Sequence, residues 1–185
     1  KILIEGNVPI IQVRAKQILQ KERFELGANI IAERKKNQLV IMNDRLDFPL
    51  LLNADGVHLG QSDLPPVTAR KLLTPSMLLG YSTHNLEQVK EAQSLPVDYL
   101  GFGPIFETKT KDHADSAVGI DLLHKACKLS FKPIVAIGGI DIDSLSDVIA
   151  AGAKSAVMIS GIFDHDNPAK IIARANAIIY PTISS

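Results

Sequence analysis

Short apolar segments rich in β-branched residues recur along the chain, each closed by glycine or polar residues and followed by a helix-like stretch. Several of them, such as IVAIGG and AVMISG, are apolar at consecutive positions rather than at every second one. Strands buried on both faces have this composition, and they belong to parallel sheets. The pattern predicts strands over residues 9–14, 38–43, 56–60, 77–82, 97–103, 133–138 and 155–160.

The stretches between the strands carry helix signals. Asn85 with Gln88, and Ser144 with Asp147, have the spacing of a capping box. The apolar residues between 171 and 179 fall on one helical stripe, and Gly152 suits a helix end. Residues 1–7 are interpreted as the tail of an earlier helix.

Strand–helix alternation along the whole chain predicts stacked βαβ units in one domain spanning residues 1–185. Seven strands with about seven helices favour an α/β fold, a (β/α)8 TIM barrel whose first strand and most of whose first helix are absent from this chain. Such a barrel has two sheet edges, which further residues or a neighbouring chain would cover. An open doubly wound sheet is the alternative. No G-x-G-x-x-G segment follows any predicted strand, which argues against a dinucleotide site.

Composition narrows the function classes. Lys plus Arg and Asp plus Glu number 20 each, so there is no net positive charge to hold a nucleic acid. No apolar run reaches the ~18 residues of a membrane span, and no signal peptide is visible, so a cytoplasmic location is expected. The single cysteine, Cys127, excludes an intrachain disulfide and is interpreted as a small core residue.

The carboxyl ends of the strands form the active site in parallel α/β barrels, so the polar residues there are candidates. They are Gln12, Arg14, Lys16, Asn43, Asp44, His58, Gln61, Asp63, Ser82, His84, Thr108, Thr110, Lys111, Gly138, Gly139, Ser160 and Gly161. Arg14, Lys16 and Lys111 concentrate positive charge that needs an anion or acidic partners. Asp44 and Asp63 offer oxygen ligands that suit Mg²⁺. Together they predict a magnesium–pyrophosphate site, with structural salt bridges as the alternative.

A second anion site is predicted where Gly138-Gly139 and Ser160-Gly161 close two consecutive strands. Glycine lets the backbone approach a phosphate closely, although two tight turns would need the same residues. The polar stretch 103–112 could fold over a bound anion or stay a solvated loop. The five histidines show no H-E-x-x-H spacing, and His58 and His84 are interpreted as hydrogen-bonded structural residues.

Residues 11–162 resemble the thiamine phosphate synthase family. The resemblance rests on IIQVRAK, IMNDRLDFPLLLNADGVHLGQSD, GYSTHN, DYLGFGPIFETKTK, IVAIGGI and AGAKSAVMIS, in that order. It implies a (β/α)8 barrel and a transferase that condenses 4-amino-2-methyl-5-hydroxymethylpyrimidine diphosphate with a thiazole phosphate, giving thiamine phosphate and pyrophosphate. It also implies Mg²⁺ as cofactor, small molecules as partners, neither nucleic acid nor membrane, and a homodimer.

The resemblance further implies roles for single residues. The pyrimidine diphosphate would contact Gln12, Arg14, Lys16, Asn43, Ser82 and Lys111, while Asp44 and Asp63 would hold Mg²⁺. The thiazole phosphate would contact Thr108, Thr110, Gly139, Ile159 and Ser160. Within this set Arg14, Lys16, Ser82 and Lys111 would be catalytic. The chemistry separates charge as pyrophosphate leaves, so it needs cations at the leaving group and no protein nucleophile.

Three positions depart from the family pattern. Ala15 stands where Glu is usual, Glu107 where Pro is usual, and Gly161 where Ala is usual.

Two alternatives to the synthase function stay open at this point. GYSTHN and FET also resemble a thiazole tautomerase, in which His84 would be the acid–base group. The paired Asp44 and Asp63 favour the synthase, because a tautomerase has no diphosphate or Mg²⁺ to hold. A barrel that binds a phosphorylated ligand without turnover is the other alternative.

Overall fold

The computed structural model describes residues 1–107 and 116–181. Packing of the Cα atoms divides the chain into two compact units, Lys1–Tyr81 with Pro96–Asp98, and Ser82–Leu95 with Tyr99–Ser185. The prediction of a single domain stays a prediction. No helix in either described range is long and apolar enough to cross a membrane.

The first unit alternates helices with parallel strands that pair in chain order. Its elements are α1 (Ile2–Glu5), β1 (Ile10–Val13), α2 (Gln20–Glu33), β2 (Leu39–Asn43), α3 (Asp47–Leu52), β3 (Gly56–Leu59), α4 (Pro66–Leu72) and the start of β4 (Leu78–Thr83). The first four predicted strands are confirmed, and α1 is a short helix within residues 1–7; that it is the tail of an earlier helix stays a prediction.

The second unit continues the same alternation. Its elements after the end of β4 are α5 (Leu86–Ala92), β5 (Tyr99–Phe102), α6 (Gly119–Leu129), β6 (Ile134–Ile137), α7 (Leu145–Ala150), β7 (Ser155–Val157), α8 (Ser160–Phe163) and α9 (Pro168–Ile179). β5 pairs with β6 and β6 with β7, again in parallel. The last three predicted strands are confirmed.

Each unit has its own buried core. In the first, a cluster of Val13, Val40, Met42, Phe48 and Ala54 fills the space between the strands and helices α2 and α3. In the second, the largest fully buried side chains are Leu100, Phe102, Ile105, Leu123, Leu145 and Ile172. The stripe predicted on α9 is also observed, because Ile171, Ile172 and Ala175 are buried.

An Arg–Asp pair fastens the amino-terminal end of β2 in the first unit. Asp55, just before β3, accepts the backbone N–H of Val40 at 2.7 Å and also binds the guanidinium of Arg34. The carboxylate thereby ties a strand and the end of α2 together, at the end of the strands opposite the predicted active site.

A second Arg–Asp pair holds the amino-terminal end of β4 in the same way. Asp98 accepts the backbone N–H of Leu79 at 2.7 Å and the guanidinium of Arg70 at 2.5 Å. Arg70 donates further to the carbonyl of Met77 at 2.8 Å. Because the Leu79 N–H is buried, the Asp98 carboxylate satisfies a donor that would otherwise be costly.

Neither predicted capping box forms in full. The Asn85 side chain accepts the N–H of Gln88 at 2.9 Å, as expected, but the Gln88 side chain accepts from the N–H of His84 instead of Asn85. Before α7, the Ser144 hydroxyl makes no cap and bonds the Asp141 carboxylate at 2.7 Å. That bond lowers the pKa of Asp141, whose oxygen also accepts the N–H of Ser144.

Candidate active site

In the first unit, the register of β1, β2 and β3 brings their carboxyl ends to the same level. Val13 pairs with Met42, and Asn43 pairs with His58. The next residue, Asp44, donates its N–H to the His58 carbonyl at 2.9 Å. The polar residues that follow these strands therefore leave the sheet side by side.

Three of the predicted site residues form a cluster there. The Lys16 ammonium lies 2.9 Å from Asp44 Oδ2, and Asp63 lies close enough to Asp44 for the Asp44 carboxyl to raise its pKa. Burial raises the pKa of Asp63, the Gly60 N–H lowers it, and the Asp44 charge raises it further. The net direction is upward, which is the behaviour of two acidic groups sharing one small space.

Asp63 is held by a tight turn after β3. Its Oδ2 accepts the N–H of Gly60 at 2.6 Å, and its own N–H donates to the Gly60 carbonyl at 3.2 Å. This reciprocal pair fixes the carboxyl beside Asp44.

Asp44 is held by an unusual backbone turn. Its φ is +66°, and the N–H of the next residue, Arg45, donates to the carbonyl of the previous one, Asn43, at 2.8 Å. A hydrogen bond across a single residue of positive φ defines the strained form of the γ-turn. Because such a conformation costs a residue with a side chain about 1–3 kcal/mol, the surrounding structure must hold it.

Other predicted diphosphate contacts lie on the same strands. Gln12 on β1 is half-buried and pairs with Ile41, while Asn43 at the end of β2 is 7% exposed. Arg14 follows β1 directly and is half-buried. Ala15, the first departure from the family pattern, acts through its carbonyl, which accepts Arg23 Nε at 2.9 Å.

In the second unit, the segments that follow β5 and β6 are joined through their backbones. Ile105 donates its N–H to Ile137 at 2.9 Å, and Phe106 donates to Gly138 at 3.1 Å. Gly139 has a φ of +64°, and a Cβ at this position would lie 2.5 Å from the Glu107 carbonyl. Glycine is therefore required here by its positive φ and by the close approach of the segment that follows β5.

The segment after β7 approaches the segment after β6 closely. A Cβ on Gly161 would lie 2.4 Å from the Ile140 carbonyl oxygen, so the alanine usual in the family does not fit this backbone. Ile159 and Ser160 precede it, both exposed, and Ser160 begins α8. Ser82 lies half-buried near the end of β4.

His84 supports the start of the long segment after β5. Its Nδ1 lies 2.6 Å from the carbonyl of Gly103, so that nitrogen carries the proton and donates, as the structural interpretation predicts. The segment is closed at its base, because Val118 and Gly119 donate their N–H groups to Pro104 at 2.9 Å and Ile105 at 3.0 Å. The predicted contacts Thr108, Thr110 and Lys111 lie outside the described residues.

Sequence reasoning missed Arg45 and Asp47. The Arg45 guanidinium donates Nε to Asp47 Oδ1 at 2.8 Å and Nη2 to Oδ2 at 2.5 Å. Hydrogen bonding to Asp47 raises the pKa of Arg45, and hydrogen bonding to Arg45 lowers that of Asp47. The only signal in the sequence is the charged run NDRLD directly after a strand.

Cys127 is half-buried rather than a core residue, which corrects the expectation from sequence. Burial raises the pKa of its thiol. A protonated thiol is a poor nucleophile, so this cysteine has no evident part in the chemistry.

The residues present suit one hard divalent cation. Within the described ranges there is no group of three or more His, Cys, Asp or Glu side chains that could hold a metal. Asp44 and Asp63 provide two neighbouring carboxyl groups, and Mg²⁺ typically takes one or two carboxylates and completes its shell with water or phosphate oxygens.

Parallel strands alternating with helices, with ionisable side chains at the strands' carboxyl ends, define the class of TIM-barrel-like α/β enzymes. The chain belongs to the thiamine monophosphate synthase family, whose family model matches residues 1–162. It is accordingly a transferase of thiamine biosynthesis that acts on small molecules.

Individual relatives agree with this assignment. The chain is 41% identical to the thiamine-phosphate synthase of Persephonella marina, with 89% of this chain and 78% of the relative covered. It is 40% identical to thiamine-phosphate synthase 1 of Aquifex aeolicus, with 93% and 81% covered. Among solved structures, thiamine phosphate pyrophosphorylase from Pyrococcus furiosus superposes with a TM-score of 0.86 at 30% identity, covering 96% of this chain and 86% of that one.

Proposed function

We propose that this chain condenses 4-amino-2-methyl-5-hydroxymethylpyrimidine diphosphate with a thiazole phosphate, and that the carboxyl ends of β1–β3 hold the diphosphate. The observation that carries this proposal is the cluster of Lys16, Asp44 and Asp63. Two neighbouring carboxyl groups repel each other when both are ionised, and a divalent cation relieves that repulsion. A cation there displaces the Lys16 ammonium from Asp44, and the ammonium is then available to a diphosphate that binds with the cation.

The reaction breaks the bond between the pyrimidine methylene and the diphosphate oxygen. The electron pair leaves with pyrophosphate, positive charge develops on the methylene carbon, and the thiazole nitrogen then forms the new C–N bond. Arg14, Lys16 and Lys111 stabilise the developing negative charge, because fixed cations are worth most where charge appears in the transition state. Gln12, Asn43 and Ser82 orient the pyrimidine, so that positioning supplies much of the remaining rate.

Mg²⁺ is the cofactor proposed for this site, with Asp44 and Asp63 as its protein ligands. When bound, it supplies positive charge that offsets the charge of the leaving pyrophosphate. The carboxyl groups themselves hold and orient, and neither acts as a nucleophile in this scheme.

The thiazole phosphate is proposed to bind in the second unit. Gly139, Ile159 and Ser160 lie after β6 and β7, in the loops that often form a phosphate site in parallel α/β barrels. Thr108 and Thr110 are proposed to complete the contacts. The nearby Asp141 carboxylate accepts hydrogen bonds from the hydroxyl and the N–H of Ser144, which lower its pKa and keep it ionised.

Mass spectrometry of the product formed from both substrates and Mg²⁺ tests the proposal. A condensed product is expected in the mass spectrum. A rearranged thiazole has the mass of its parent and is identified by NMR of the same mixture; found alone it would indicate the tautomerase, and binding without turnover would indicate a non-catalytic barrel. Lys111→Ala is expected to lower kcat more than thiazole affinity. Unchanged turnover in Lys111→Ala would contradict the role of Lys111 in stabilising the leaving group. A homodimer and a cytoplasmic location stay predictions.

A further inference from the structure

The strained turn at Asp44 is followed at once by a rigid side-chain contact. Both nitrogens at the fork of the Arg45 guanidinium donate to the two oxygens of Asp47. A bidentate pair of this kind fixes orientation as well as distance. Residues two apart on a regular helix point in different directions, so the contact requires the non-helical turn that precedes α3.

The Arg45 side chain is also joined to the core of the first unit. Its guanidinium carbon lies 5.0 Å from the centre of the Phe48 ring, which is within the range of a cation–π contact. Phe48 is 5% exposed and packs edge-on against Phe24, with ring centres 5.4 Å apart. A continuous path of contacts therefore leads from the Phe24–Phe48 pair, through the buried Phe48 ring, to the residue after Asp44.

The backbone of Asp44 is held on its other side by the sheet. Its N–H donates to the His58 carbonyl, while the Arg45 N–H closes the γ-turn on Asn43. If the Arg45 side chain were released, the turn would keep these backbone bonds and the contact of the Asp44 carboxylate with Lys16, but it would lose the rigid side-chain contacts that help offset the cost of positive φ. The Asp44 carboxyl would then swing away from Asp63 as φ returned to the common negative region.

We propose that Arg45 and Asp47 are positioning residues, which act through the γ-turn to keep the Asp44 carboxyl beside that of Asp63 in a geometry that binds a divalent cation. This inference rests on the metal site of the proposed function. Neither residue needs to touch substrate. Outer partners that orient metal ligands commonly change metal affinity about 10–100-fold when removed.

Binding of Mn²⁺ to the substrate-free protein, followed by the electron paramagnetic resonance signal of the unbound ion, tests the proposal without measuring turnover. Arg45→Gln and Asp47→Asn are each expected to weaken Mn²⁺ binding about tenfold. Arg45→Lys keeps the charge but loses the fork, so an intermediate loss is expected. Because both residues serve one contact, the Arg45→Gln/Asp47→Asn double variant should be no weaker than the weaker single variant.

Arg70→Gln is the matched control, since it breaks the Arg70–Asp98 pair at the opposite end of the strands. It should lower the melting temperature and leave Mn²⁺ affinity unchanged. Wild-type Mn²⁺ affinity in Arg45→Gln or Asp47→Asn, losses that multiply in the double variant, or an equal loss in Arg70→Gln would each overturn the proposal.

The product assay separates this inference from the proposed function. Condensed product from the wild type with unaltered Mn²⁺ binding in Arg45→Gln would refute the positioning role alone. Mn²⁺ binding that depends on Arg45 in a protein that makes no condensed product would refute the reaction and support the positioning role.

Discussion

Replacing Lys16 with methionine is expected to tighten divalent-cation binding to the substrate-free protein while it lowers turnover. The Lys16 ammonium is 2.9 Å from Asp44 Oδ2, so it occupies an oxygen that the cation needs. A cation that enters must displace the ammonium, which can then turn to the diphosphate. Methionine has a similar length and volume and carries no charge, so it removes the competitor with little change in packing.

The size of the effect follows from the exposure of the pair. Two unit charges at this separation attract by about 1.4 kcal/mol at the dielectric constant of water. The Lys16 side chain is 51% exposed, and the entropy lost in fixing a long side chain reduces the net value to about 1 kcal/mol. Since about 1.4 kcal/mol is a tenfold change, Lys16→Met should bind Mn²⁺ about fivefold more tightly.

Two assays on the same preparations decide the outcome. Mn²⁺ titration without substrate measures the affinity, and the rate of condensed-product formation at saturating Mg²⁺ measures turnover, which should fall at least about tenfold. Lys21→Met is the control, because it removes the same charge from an exposed pair with Glu25 on α2. It should change neither quantity.

Mn²⁺ affinity that is unchanged or weaker in Lys16→Met would refute the reasoning, since the ammonium would then not compete for Asp44. An equal gain in Lys21→Met would attribute the effect to net charge rather than to the contact. Tighter Mn²⁺ binding with full turnover in Lys16→Met would support the competition between the ammonium and the cation for Asp44. It would contradict the role of Lys16 in stabilising the leaving group.

Three further predictions address other parts of the molecule. Folding raises the pKa of Asp63, so the folded state binds its proton more tightly than the unfolded state. The free energy of unfolding of the metal-free wild type should therefore decrease as pH rises from about 4 through the folded pKa. Asp63→Asn should lack this decrease and have a higher melting temperature than the wild type at pH 7. His84→Asn, whose amide can replace Nδ1 as donor to Gly103, should keep more turnover than His84→Gln, and the reverse order would contradict the role given to Nδ1. Asp98→Ala leaves the buried N–H of Leu79 without its acceptor and should lower the free energy of unfolding, measured in urea, by about 2 kcal/mol. Asp98→Asn keeps a side-chain oxygen and should lose less than half as much.

The strands were predictable because their signal is local. Runs such as IVAIGG are apolar throughout, and burial of both faces leaves few other structures for them. The contact of Lys16 with Asp44 was also foreseeable in outline, because parallel strands in register deliver the residues after them to one edge. The sequence predicted that Lys16 and Asp44 lie at the same edge of the sheet, and only the structure gives the distance between them.

The features that sequence missed depend on competition between local contacts. Ser144 has a good capping spacing, but its hydroxyl bonds Asp141, which is equally close along the chain. The pairing of Arg45 with Asp47 exists because Asp44 takes a positive φ, and no residue type announces that conformation in advance. The anchors Asp55 and Asp98 are visible in the sequence, since each stands directly before a strand that is followed by glycine, in DGVHLG and DYLGFG.

The repeated Arg–Asp anchor has a consequence for recombining this chain with its relatives. Asp55 with Arg34, and Asp98 with Arg70, each join partners more than twenty positions apart, so a crossover between partners would unite halves from different parents. Breakpoints placed between positions 56 and 69 leave both anchors whole. Chimeras cut there should express and fold more often than chimeras cut within either anchor. The residues at the carboxyl ends of their strands can still be exchanged between the parents.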